Sequence, residues 1–143
     1  QSSRPVAIIS LGQSNRKQIS LEKIATNRDH FRVSDNAGNR IQNTPIVANG
    51  PEKYISTLPL NSLLKKLHAH EIPANISYSA GSFVCNHLFY KLQHHLRENN
   101  IPSGFIHLPQ LPEQTLQSEI PSMPLGKQVF AVQTILNGIL DSL

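Results

Sequence analysis

Asn75-Ile76-Ser77-Tyr78-Ser79-Ala80-Gly81-Ser82-Phe83-Val84-Cys85-Asn86-His87 changes character in its middle, and that change decides the fold. Residues 75–78 read as a short strand, whereas from Ser82 to about Arg97 the periodicity is helical. Ala80-Gly81 supplies a tight turn between the two. Cys85, the only cysteine of the chain, therefore falls in the first turn of a predicted helix. Unpaired N–H groups and the dipole at a helix start favour a thiolate over a thiol.

Working outward, Val6-Ala7-Ile8-Ile9-Ser10-Leu11 is an unbroken apolar run between Pro5 and Gly12, which predicts a fully buried strand. Residues 19–25 form a second apolar segment, interrupted by Glu22 and Lys23. Residues 27–45 are polar, with turn chemistry at Asp35-Asn36-Ala37-Gly38-Asn39. Short apolar pieces around Gly50-Pro51 fit a surface strand or hairpin within 46–58. Leu60, Leu63, Leu64 and Leu67 share one face of a helix that ends at Ile72-Pro73. Phe105-Ile106-His107-Leu108, closed by Pro109, predicts another strand, and Pro112, Pro121 and Pro124 mark a loop. A last helix from Gly126 to about Leu140 puts Val129, Val132, Leu136 and Ile139 on one face.

This order, strand–loop–helix–strand–helix–strand–helix, predicts one α/β domain over residues 1–143, with helices on the faces of a mostly parallel sheet. Ligands of such sheets sit beyond the carboxyl ends of the strands, where Cys85 and His107 both fall.

Composition narrows the partners. The 143 residues carry a formal charge of +4, scattered among pairs such as Arg16-Lys17 and Lys65-Lys66 rather than drawn into a stripe, and there is no tryptophan. That argues against nucleic acid. No apolar run approaches the roughly 18 residues of a membrane span, and the polar Gln1 to Arg4 does not look like a leader. A single cysteine excludes an internal disulfide framework, so a soluble cytoplasmic protein is expected.

Two readings of Cys85 stand side by side. Cys85, Phe89, Leu92 and Leu96 follow an apolar helical face, as a core thiol would. The turn and the helix start instead suit a nucleophile, which needs a base and an orienting group. His68, His70, His94 and His95 read as solvated surface, and His87 points about 200° round the helix from the thiol. His107 interrupts an apolar strand with a polar group that needs a partner, and is the better base. Glu22, inside an apolar segment, is the carboxylate candidate. No metal site is expected, because His68-x-His70 and His94-His95 lack i, i+4 spacing and there is no CxxC. Gly12 stands without the further glycines of a phosphate loop, so no cofactor is expected either.

The stretch from Ser77 to His87 resembles the active-site cysteine motif of the type I pyroglutamyl peptidases, or pyrrolidone-carboxylate peptidases. Ile19-Ser20-Leu21-Glu22-Lys23-Ile24-Ala25-Thr26-Asn27 is similar to that family's glutamate motif, and the stretch from Gly104 to Gln114 to its histidine segment. Asp35-Asn36-Ala37-Gly38-Asn39, Gly50-Pro51-Glu52-Lys53-Tyr54 and Ser56-Thr57-Leu58-Pro59 match as well. The resemblance implies a three-layer α/β/α sandwich and a cysteine peptidase that removes N-terminal pyroglutamate from peptides, often as a cytoplasmic homotetramer. It implies Cys85 as nucleophile, His107 as base and Glu22 as the acidic third member, with Phe83, Arg32 and Gln13 contacting substrate. Two departures accompany it. The loop Gly12-Gln13-Ser14-Asn15-Arg16 is one residue shorter than the family's and lacks paired glycines, and nothing before Val6 matches the family's opening strand and Gly-Phe-rich loop. The sheet is therefore expected to lack that strand. The alternative is a non-catalytic interaction or structural protein on the same fold, inactive for want of that segment.

Overall fold

Aliphatic residues build the first strand, β1 (Ile8–Gln13), of a computed structural model that describes residues 4–143. Residues 1–3, most of the polar start read as unlike a leader, lie outside the described residues. The elements that follow are β2 (Ile19–Glu22), β3 (Ile24–Thr26), β4 (Lys53–Ile55), α1 (Leu60–Ala69), β5 (Ala74–Ser77), α2 (Val84–His95), β6 (Ser103–Leu108) and α3 (Leu125–Ser142). Four strands form a sheet in the order β1–β6–β2–β5. The N–H of Ile8 donates to Pro102 O and that of Ser14 to Leu108 O, both at 2.9 Å, so β1 and β6 run parallel. Ile19 to Pro73 O (3.0 Å) and Lys23 to Ser77 O (2.8 Å) show the same for β2 and β5. The expected α/β fold on a mostly parallel sheet is what forms.

Three expectations need correction. β1 stands at one end of the strand order, and its residues are half-buried or exposed instead of being fully buried. An apolar run reports that a strand forms, but not whether both of its faces find cover. The segment 19–25 is two strands: Lys23 gives its N–H to Ser77 and its carbonyl to the N–H of Ser56 (2.8 Å), so the chain changes sheets there. Beyond it, β3 pairs antiparallel with β4, Ala25 opposite Tyr54. On α3 the buried residues are Gln128, Ala131, Ile135, Gly138 and Ile139, while Val129 and Leu136 are exposed. The helix is apolar on several faces, and close approach chooses among them. A Cβ on Gly138 would lie 2.7 Å from Leu63 Cδ2 of α1, so the small residues turn toward that helix.

The residues gather into two compact units. Of the described residues, the first holds 4–10, 22–57 and 77–105, and the second holds 11–21, 58–76 and 106–143. The core of the first includes Ala25, Ala80, Phe89, Tyr90 and Phe105. Tyr90, fully buried, donates its hydroxyl to Pro51 O at 2.6 Å. Burial, with Tyr54 nearby, raises its ionisation above the usual phenol value. The second unit contains Leu63 and Leu67 of α1 and Ile135 and Ile139 of α3, all essentially solvent-free. No helix among the described residues is long and apolar enough to cross a membrane.

Candidate active site

Gly81 adopts φ +83°, a left-handed conformation that side chains resist, with open space where a Cβ would stand. Its glycine serves conformation rather than packing. Phe83 then stays extended (φ −105°, ψ −154°) as the residue before α2, and no side chain caps the helix. Cys85 is the second helical residue, half-buried, and packs against the cluster of Ala25, Ala80, Phe89, Tyr90 and Phe105. The thiol borders a core and also stands among the helix-start N–H groups that no preceding turn can engage.

Three side chains, Ser82 just before α2 and Asn86 and His87 in its first turn, hold residues 26–30. Asn86, fully buried, accepts from the N–H of Thr26 (3.0 Å) and donates to Thr26 O (3.0 Å) and Arg28 O (3.2 Å). Ser82 Oγ donates to His30 O (3.0 Å), and the N–H of His30 returns a bond to Ser82 O (2.9 Å). His87 donates Nδ1–H to the buried carboxylate of Asp29 at 2.8 Å. His87, expected to point away from the thiol, is held by this partner. Nothing in the spacing of Asn86, Asp29 or Ser82 announces this clamp. Its one legible hint is a buried-type position, one residue past the cysteine, filled by an amide.

Phe83 is half-buried and meets Phe31 edge to face, with ring centroids 4.7 Å apart. Phe31 is itself buried, and sequence reasoning passed it over. The exposed Arg32 follows it directly and lines a cavity of about 660 Å³ together with Ser82. Glu22 is fully buried at the end of β2, in the same unit as Cys85, Phe83 and Arg32. His107, 5% exposed on β6, belongs to the second unit. So does Gln13, whose amide nitrogen donates to Gln114 Oε1 at 2.6 Å. His94, expected to be solvated, is half-buried, with Nδ1 at 2.6 Å from the Tyr54 hydroxyl. Among the described residues no three His, Cys, Asp or Glu side chains gather where they could hold a metal ion.

A family model described as pyroglutamyl peptidase matches residues 1–141. The chain is 42% identical over 140 residues to the pyrrolidone-carboxylate peptidase of Aliivibrio fischeri (strain MJ11), covering 97% of this chain and 66% of that one. It is 44% identical over 138 residues to that of Bacillus cereus (strain Q1), covering 94% and 61%. Among solved structures, the pyroglutamyl peptidase I of Bacillus amyloliquefaciens aligns with a TM-score of 0.92 at 39% identity, over 94% of this chain and 66% of that chain. The pyrrolidone carboxyl peptidase of Pyrococcus furiosus aligns with a TM-score of 0.93 at 38% identity, over 96% and 70%. The chain thus spans just under two thirds of the length of these curated relatives, 61% and 66%.

Proposed function

This chain belongs to the pyroglutamyl peptidase family, and from that premise we propose that it is a cysteine peptidase that removes an N-terminal pyroglutamyl residue from peptides. The observation that carries the reading is Cys85 itself, the second residue of an uncapped helix entered through a glycine turn. In this reading the Cys85 thiolate attacks the pyroglutamyl carbonyl carbon. The N–H groups at the start of α2 receive the oxyanion in the tetrahedral intermediate. His107 gives its proton to the departing amine as the C–N bond breaks, leaving a thioester on Cys85. Water, deprotonated by His107, then hydrolyses the thioester to free pyroglutamate, and Glu22 holds the imidazole in orientation. Phe83, Arg32 and Gln13 contact the substrate. The cycle balances without metal or cofactor. Residues 1–143 act as one α/β domain that assembles as a homo-oligomer, a tetramer by family likeness, in the cytoplasm.

Cys85→Ser tests the reading directly. It is expected to lower pyroglutamate release from a fluorogenic pyroglutamyl amide by about 10³-fold or more, as loss of a covalent nucleophile does. Turnover by the serine variant at the wild-type rate would sink it.

A further inference from the structure

The cavity of about 660 Å³ in the first unit is lined by Arg28, His30 and Arg32, with Glu52, Gly81 and Ser82 among the other residues. Arg28 and Arg32 are exposed, and among the described residues neither guanidinium is held in an ion pair or hydrogen bond. His30 Nδ1 is buried and has no hydrogen-bond partner there. Two guanidinium groups against the single carboxylate of Glu52 leave the cavity cationic even with His30 neutral. The bonds from Ser82, Asn86 and His87 fix the segment carrying these cations to the start of α2. Such a clamp sets the backbone that carries Arg28, while its guanidinium stays open to a ligand.

We infer that this cavity is a carboxylate-recognising subsite for the part of the substrate that follows the pyroglutamyl residue. The inference rests on the peptidase reading above. A pyroglutamyl lactam carries no charge, so unengaged guanidinium groups find no counterpart in the ring. Ser82 lies three residues before Cys85, which bounds their Cα separation at about 11 Å, and an extended peptide covers about 3.5 Å per residue. The residue after the scissile bond therefore falls within that span, which about three residues would fill. Its carboxylate comes either from an acidic side chain or from the free C-terminus of a dipeptide. Arg28 and Arg32 receive it, with the His30 ring as part of the lining.

Four substrates separate these sources: the amides pyroglutamyl-Ala, pyroglutamyl-Glu and pyroglutamyl-Lys, and pyroglutamyl-Ala with a free carboxylate. Wild-type kcat/KM is expected to favour at least one carboxylate-bearing peptide over the Lys amide by about fivefold, the upper range for exposed ion pairs. The Glu amide reports the side chain and the free acid reports the terminus. Arg28→Glu is expected to abolish or invert the ratio. Equal turnover of all four peptides, or an unchanged ratio in Arg28→Glu, overturns the subsite while leaving the peptidase reading intact. Should wild type cleave none, calorimetric titration of the Cys85→Ser chain decides separately. Arg28-dependent preference for the acidic peptides then upholds the subsite against a failed peptidase reading, and indifferent binding removes both.

Discussion

Asn86 carries more of the site than its neighbours. It is fully buried, and its amide answers three backbone groups of residues 26–28, one N–H and two carbonyls. Asn86→Ala leaves those groups without their partner and a gap beside Cys85. Stability is expected to fall by about 2–3 kcal/mol, read as the urea midpoint; an unchanged midpoint would show the segment holding itself. At Asp35 the chemistry is local. The N–H of Asn39 (2.8 Å), with that of Ala37 (3.0 Å) and the Asn39 amide, holds its carboxyl below the ordinary value of 3.8. A depressed carboxyl contributes stability that is fully present above the unfolded value and is lost as pH falls through the folded one. An NMR titration of the Asp35 carboxyl is expected to give a midpoint below 3.8; a midpoint above it contradicts the turn.

The elements owe their ends to backbone chemistry that a sequence displays only in part. Helix α1 closes as the N–H of Ile72 returns to Leu67 O (3.0 Å) and that of Glu71 to His68 O (2.9 Å), with Glu71 at φ +57°. A left-handed residue after a helix is commonly glycine, and here a long side chain bears that conformation. Glu71→Gly is expected to raise stability by about 0.5 kcal/mol, the relief of left-handed strain less the entropy cost of glycine. A lowered thermal midpoint would mean that the Glu71 side chain holds the turn. For α3 the deciding fact is Gly138, whose missing side chain admits Leu63. The exposed Leu125, Val129, Leu136 and Leu140 then line a different face from the buried one.

At the scale of the whole chain, the path crosses between the two compact units inside β1, β2, β5 and β6, and once more between β4 and α1. Neither unit is therefore a continuous stretch of sequence that could be made without the other. A single cooperative calorimetric transition is therefore expected, with equal calorimetric and van't Hoff enthalpies. Two resolved transitions would replace the single domain by two. The sequence by itself determined the strand–turn–helix around Gly81, the place of Cys85 at a helix start, the turn at Asp35 and the α/β class. All of these follow from interactions between residues a few positions apart. It did not determine which strand lies at the end of the sheet, which face of α3 is buried, or that Asn86, Ser82 and His87 tie residues 26–30 to the cysteine's helix. Those were decided by the tertiary structure, since periodicity records how apolar a face is but not what will lie against it. A buried amide chooses its partners only when a segment about 60 residues away in the chain arrives beside it.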